Sequence, residues 1–205
     1  SLDQIEYTQN LCAISHPEIR TRRNDVLCGP ELHLLYMSLL GAVAYLYLTR
    51  TDVLVFICAC QRWAHKPSVI HVKRLNTILK WLQANPKRLM YRAFKTQATH
   101  LRIVSDAAFK KEEEHGHALR GVVYLRANGN VAAAFCLSGV VHVLEFLAKS
   151  VRHVTRSTFS AELHSGCDSV DLGILILLLL HEMEVGPTRR SEARDLRDNG
   201  GYAIP

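Results

Sequence analysis

The sequence predicts an α/β fold, because helical and strand-like patterns occupy separate parts of the chain. Apolar residues recur at helical spacing through residues 31–84, and β-branched apolar runs of strand length follow between residues 101 and 146. A long apolar stretch over residues 159–184 then predicts a final helix. Helices, three strands and one long helix together favour a mixed sheet with flanking helices.

Composition sets the broad class of protein. The chain has 205 residues, of which 48% are hydrophobic and 21% charged, as in ordinary globular proteins. A net charge of +6 suits a polyanionic partner such as nucleic acid, although a basic solvated surface explains it equally well. The longest apolar run, residues 172–180, is too short to cross a bilayer, so no membrane span is expected.

The six cysteines indicate buried thiols more than a metal site. None belongs to a C-x-x-C pair, which argues against structural zinc. Four of them lie in apolar or helical stretches and resemble small buried hydrophobes: Cys58, Cys60, Cys136 and Cys167. Such thiols favour a reducing intracellular compartment, whereas the organelle stays unknown.

Residues 1–90 divide into an extension and a helical segment. Residues 1–30 are polar and contain Pro17 and a Gly-Pro breaker, so they predict an irregular N-terminal extension. Residues 31–90 predict helices, the second of which starts near Thr51 or Asp52, since either side chain suits an N-cap. A clearer amphipathic helix follows, with one apolar face: Val72, Leu75, Ile78, Leu79 and Leu82.

Residues 91–205 carry the strand signals and the long helix. Strands are predicted over residues 101–106, 119–125 and 140–146, and Asn128-Gly129 indicates a hairpin. Ser157 or Thr158 is a candidate N-cap for the helix over residues 159–184, which Gly186-Pro187 would end.

Two carboxylates occupy defined places in this scheme. Asp106 follows an apolar strand-like run in Ser105-Asp106-Ala107-Ala108-Phe109, and Glu162 lies in the first turns of the long helix. A strand carboxylate that faces a helix carboxylate is how a two-metal nuclease site begins. The plainer alternatives are a strand-end acid for Asp106 and a solvated acid that favours the helix dipole for Glu162.

These motifs occur in an order that resembles a known family, the ribonuclease H end of the copia-type retrotransposon Pol polyprotein. The similarity covers roughly residues 36–204. Thr49-Arg50-Thr51-Asp52 is similar to the family's Thr-Arg-Pro-Asp, and Ser105 to Phe109 to its Ser-Asp-Ala-Asp-Trp. Ser157-Thr158-Phe159-Ser160-Ala161-Glu162 resembles Ser-Thr-x-Glu-Ala-Glu, and Asp198-Asn199 opens a segment similar to the family's Asp-Asn-x-x-Ala-Ile.

The resemblance implies a ribonuclease H-like domain over residues 91–205, truncated at its C-terminus, after a connection segment over residues 31–90. It implies cleavage of RNA in RNA–DNA hybrids with Mg²⁺ or Mn²⁺ held by Asp106, Glu162 and Asp198. Two departures weaken this site: Ala108 replaces the second Asp of the strand motif, and the family's final acidic helix has no counterpart in the sequence.

Basic residues suggest a surface for the nucleic acid. Lys73, Arg74 and Lys80 form a band on the amphipathic helix, and Arg152 and Arg156 precede the long helix, where they suit a phosphate near its N-terminus. The alternatives are a solvated helix face and a plain basic loop.

A second function class stays open. The alternative to the nuclease is a catalytically silent, domesticated relative that acts as a structural or interaction subunit of a larger assembly. The apolar run over residues 172–180 supports this alternative, because a helix that is apolar all round needs cover on more than one side. We therefore expect contact with other protein chains.

Overall fold

The computed structural model describes residues 1–94, 99–108, 119–128, 140–150 and 157–187, together with residues 189, 191 and 194. Contacts divide the chain into Ser1–Met90, here unit 1, and Tyr91–Pro205, here unit 2. The described part of unit 1 is helical, and that of unit 2 is a three-stranded antiparallel sheet followed by one long helix. The predicted α/β class with flanking helices is therefore confirmed, whereas the described strands all pair antiparallel and the predicted mixed sheet stays a prediction.

Unit 1 consists of short and medium helices. They are α1 (Ile5–Asn10), α2 (Pro17–Thr21), α3 (Pro30–Tyr45), α4 (Leu54–Gln61) and α5 (Val69–Ala84). The expectation of an irregular extension over residues 1–30 is wrong for α1 and α2. Pro17 supplies the preset φ of a first helical residue, and the His16 ring accepts the Glu18 N–H as a cap. The Asn76 side chain of α5 also bonds both the N–H and the C=O of Ile14, each at 2.8 Å.

The core of unit 1 surrounds α5, whose predicted amphipathic face is confirmed. Val72, Leu75, Leu79 and Leu82 are fully buried, and Ile78 is partly buried against them. Burying one such side chain contributes roughly 1.5–3 kcal/mol. The rest of this core comes from α3, α4 and the turns between them: Leu32, Tyr36, Leu39, Leu40, Val43, Leu46, Val53, Ile57 and Cys60.

Neither Thr51 nor Asp52 is the helix cap that the sequence predicts. Thr51–Val53 forms a 3₁₀ turn, and α4 starts without a side-chain cap. Asp52 instead accepts hydrogen bonds from Arg50 at 3.0 and 3.1 Å and from Lys87 at 2.9 Å. Burial alone would raise the pKa of Asp52, but the hydrogen bonds from the two cations outweigh it and hold that pKa below its usual value. The acid therefore ties the α3–α4 connection to the residues after α5.

Unit 2 contains β1 (Thr99–Ala108), β2 (Leu119–Asn128) and β3 (Val141–Ser150), paired antiparallel in the order β1-β2-β3. All three strands are longer than the sequence predicts. Ile103 lies opposite Tyr124 and Asp106 opposite Gly121 in the β1–β2 register. The predicted hairpin at Asn128-Gly129 falls partly outside the described residues.

The long helix of unit 2, α6 (Thr158–Val185), has the predicted ends. The Ser157 hydroxyl accepts the Ser160 N–H at 3.1 Å, which confirms the N-cap. Gly186 follows the helix with a φ of +105°, a conformation open to glycine and rarely to other residues. Two helical segments of the described chain, residues 30–48 and Thr158–Val185, are long and apolar enough to cross a bilayer by length and composition alone. Core helices of soluble proteins pass the same test.

Candidate carboxylate site at the ends of β1 and α6

Small side chains bring α6 against the sheet. Ala161, Ser165, Ser169 and Gly173 recur every four residues, lie on one side of the helix, and are all buried. A Cβ at Gly173 would overlap the Ile103 Cδ1 atom and would lie 3.7 Å from the Tyr124 ring. This stripe of small residues therefore allows a close approach that a larger side chain would prevent.

One hydrogen bond and two ion pairs define the direction in which α6 runs along the sheet. The Tyr124 hydroxyl donates to the Ser169 carbonyl at 3.0 Å, and burial is the main reason that the pKa of Tyr124 is raised. Arg120 pairs with Asp168 near one end of β2, and Arg126 pairs with Glu184 near the other. The residue numbers increase in the same direction along β2 and α6 from one ion pair to the other. The helix α6 therefore runs parallel to β2 and antiparallel to β1. The start of α6 therefore lies at the end of β1.

The two predicted acids accordingly reach the same end of unit 2, but not the same face. The Ile103 side chain lies on the α6 side of the sheet, where it meets Gly173. Asp106 follows three residues later in β1, and the pairing with β2 continues between them without a break in register. Alternation along a strand thus places Asp106 on the face away from α6. Both Asp106 and Glu162 are exposed to solvent.

Oxygen donors of this kind suit Mg²⁺ or Mn²⁺, but the described residues do not close a site by themselves. Asp198, the third predicted ligand, lies outside the described residues. Within the described part of the chain, no three His, Cys, Asp or Glu side chains are grouped to hold a metal. β1 is an edge strand of the described sheet, so no neighbouring strand of that sheet closes off its outer side. Asp106 and Glu162 therefore lie on two sides of an open sheet edge.

The predicted basic band is only partly available. Arg74 and Lys80 are exposed on α5, whereas Lys73 donates to the Asn24 side chain at 2.8 Å. Two further cations beyond α5 bind acids: Lys87 pairs with Asp52, and Arg88 lies 3.6 Å from Asp3. Arg152 and Arg156 fall outside the described residues.

Sequence reasoning missed Trp81, which lies next to Lys80 and is 41% exposed. The Arg50 guanidinium and the Lys87 ammonium lie 5.4 and 5.6 Å from the centroid of its ring, distances typical of cation–π pairs. An exposed aromatic ring beside cations is a surface on which single-stranded nucleic acids stack. The signal available in the sequence was the aromatic residue embedded among the basic residues of positions 80–88.

The sequence also did not identify the stripe of small residues on α6. Its signal was the four-residue recurrence of Ala, Ser and Gly between positions 161 and 173.

Comparison of the chain with protein-family models, with curated proteins and with solved structures gives no match.

Proposed function

We propose that unit 2 is a ribonuclease H-like domain of the copia retrotransposon type, and that it cleaves the RNA strand of RNA–DNA hybrids. The observation that carries the proposal is the order and packing of the elements. A meander of three strands leads into a capped helix that packs back on the sheet, so that Asp106 and Glu162 reach the same end. This order of elements supports the proposal, whereas the position of Asp106 on the sheet face away from α6 differs from the facing carboxylates that the resemblance implies.

The proposed roles follow the positions of the acids. Asp106 supplies a carboxylate from the open edge of the sheet, and Glu162 supplies one from the start of α6, with Asp198 as the third. Bound Mg²⁺ or Mn²⁺ would activate water and stabilise the leaving oxygen. Both described acids are exposed, so neither requires the hybrid to enter a closed cavity.

The basic residues of α5 are proposed to contact the backbone of the hybrid. Arg74 and Lys80 are exposed, so they are the stronger candidates, while Lys73 must first leave Asn24. Contacts of this kind release counterions, so affinity should fall as salt rises. Replacing Lys73, Arg74 and Lys80 with Ala should flatten that dependence. An equal salt slope in the triple variant would remove the band from the proposal.

The test is cleavage of a labelled hybrid by the purified chain with Mg²⁺ or Mn²⁺. Asp106→Asn and Glu162→Gln should each abolish cleavage without lowering the melting temperature. Asp171→Asn is the matched control, because Asp171 is another exposed acid on α6. If folded protein fails to cleave at any metal concentration, the nuclease proposal is overturned. Cleavage that survives Asp106→Asn would have the same consequence.

A catalytically silent interaction subunit is the second candidate. It is favoured by the position of Asp106 on the sheet face away from α6 and by Ala108 in place of the family's second Asp. In this alternative the sheet and α6 serve as a scaffold, and Asp106→Asn changes neither nucleic-acid binding nor stability. The cleavage assay separates the two candidates.

A further inference from the structure

The side of α6 that does not face the sheet carries a second apolar surface. Phe159, Leu163, Gly166 and Val170 are spaced by four, three and four residues, so they form one line along the helix, here called the outer stripe. The three large side chains are 75%, 56% and 54% exposed. All four residues line one shallow, open depression together with Glu162, Cys167 and Asp171, here called the groove, and every one of its lining residues belongs to α6.

Gly166 makes a notch in the middle of the outer stripe. A Cβ at this position would meet no atom of the described residues within 4 Å, so packing within that part of the chain does not require glycine here. Gly within a helix is less stable than Ala by roughly 0.5–1 kcal/mol. The notch between Leu163 and Val170 leaves room for a side chain of another helix to approach the α6 backbone closely.

Among the described residues, the charged side chains that line the outer stripe have one sign. α6 has 28 residues and contains no Lys or Arg. Of its acids, Asp168 and Glu184 pair with Arg120 and Arg126 of β2. Glu162 and Asp171 line the groove instead and form no ion pair within the described part of the chain. The groove is therefore apolar with acidic margins, on a protein whose net charge is +6.

We propose that the outer stripe binds an amphipathic helix of a partner protein whose apolar face is flanked by Lys or Arg. Apolar side chains at helical spacing would fill the groove and the notch at Gly166, while basic flanks would face Glu162 and Asp171. A second copy of α6 fits poorly, because two acidic margins would meet with no cation on either helix. The apolar contacts of this proposal do not depend on nuclease activity, whereas its acidic margin shares Glu162 with the proposed metal site.

The test uses the full chain and two synthetic helical peptides of about 18 residues, long enough to be partly helical in water. Both carry the same stripe of Leu at i, i+3, i+4 and i+7. One has Lys at its flanking positions and the other has Glu. Fluorescence anisotropy should show saturable binding of the Lys peptide and none of the Glu peptide. Equal binding of both peptides would overturn the proposal, because it would show non-specific adhesion to apolar surface.

Variants locate the site. Leu163→Ser and Val170→Ser should each weaken binding of the Lys peptide by roughly tenfold, the effect of losing a central apolar contact. Leu175→Ser is the matched control, since Leu175 is 57% exposed on the same helix but lies outside the groove. If Leu163→Ser and Leu175→Ser weaken binding equally, the groove is not the site.

Gly166→Leu separates binding from folding. Replacing a helical Gly should raise the stability of α6, while the bulk fills the notch and lowers affinity. A variant that binds as tightly as the parent protein would refute the role of the notch.

Two other occupants of the groove, a second copy of the chain and a lipid surface, would each give a different experimental result. Self-association of the chain in sedimentation velocity that Leu163→Ser abolishes would identify a second copy as the occupant. Binding to phosphatidylcholine vesicles that Leu163→Ser abolishes would identify a lipid surface. Either result would overturn the basic partner helix.

Discussion

The principal helices of the two units pack in opposite ways. In unit 1, α5 turns its large apolar residues inward, and Val72, Leu75, Leu79 and Leu82 are 0% exposed. In unit 2, α6 turns its small residues towards the sheet and leaves Leu163, Leu175 and Leu179 more than half exposed. Unit 1 is therefore stabilised mainly by burial of apolar volume, whereas unit 2 combines close backbone approach with polar ties.

The difference shows why apolar content alone does not identify a buried face. Within the run over residues 172–180, only Gly173 and Leu180 are buried. The polar ties of α6 come from its flanks, through Asp168 and Glu184, and from its backbone, through Ser169. A helix held in this way can keep apolar side chains on its outer side, and the cover that the sequence predicts for them stays a prediction.

The largest expected effect is a core truncation in unit 1. Leu79→Ala should lower the free energy of unfolding by about 2–5 kcal/mol, because it removes fully buried methyl groups and leaves a cavity. Leu34→Ala, at a position 72% exposed on α3, is the matched control and should change stability by less than about 0.5 kcal/mol. Urea unfolding followed by tryptophan fluorescence measures this, since Trp63 and Trp81 both lie in unit 1. Similar losses in the two variants would contradict the core assignment.

A medium effect is expected where α6 touches β1. Gly173→Ala should lower stability by about 1–2 kcal/mol, because overlap with Ile103 outweighs the gain in helix propensity. Ile103→Val removes the overlapping Cδ1 atom, so the double variant should be more stable than the two separate losses predict. Hydrogen exchange of the β1 and β2 amides reports the result.

Gly166→Ala is the control for this cycle, because a Cβ there meets none of the described residues and the gain in helix propensity remains. If both glycine variants gain protection, the close approach at Gly173 is not a constraint.

The smallest expected effect is a pH dependence in unit 1. The His71 ring accepts the Ser68 N–H through Nδ1 at 2.9 Å at the start of α5, and it stacks on Trp63. Burial, with a smaller contribution from Arg74, lowers the pKa of His71. Since the folded state favours the neutral ring, this contribution is complete above the unfolded pKa of about 6.5 and is lost as the pH falls through the lower folded pKa.

His71→Gln should remove this pH dependence while it keeps the cap, because Gln at this position also accepts the N-cap N–H. His71→Ala should lose about 1 kcal/mol at neutral pH. The stability of the three proteins between pH 5 and 8 is measured by urea unfolding. A Gln variant that loses as much stability on acidification as the parent protein would show that another group titrates.

Local patterns in the sequence were sufficient for α5, for the existence of the three strands and for both ends of α6, because periodicity and a capping serine are local signals. The short helices α1 and α2 were missed, since each contacts α5, which is distant in sequence, and Gln83 of α5 donates to the Thr8 carbonyl of α1. Asp52 was misassigned for the same reason, as Lys87 is its partner.

The candidate site depends on one further fact that the sequence does not contain. The sequence predicts that side chains alternate between the two faces along β1, but it does not predict which face of the sheet α6 covers. That choice follows from Gly173, whose missing side chain admits Ile103 and so directs Asp106 to the other face. The motif order predicted which acids come to one end, and the packing of small residues decided their faces.

The absence of Lys and Arg from α6 also determines how the helix behaves towards proteases. Trypsin cleaves after Lys or Arg, so it has no target between Arg156 and Arg189, and residues 157–189 leave as one apolar peptide whether the helix is folded or not. A glutamate-specific protease instead has a target at Glu162, beside the outer stripe and near the helix start, where helices fray. The rate of that single cut is therefore a direct measure of how well a partner covers the groove.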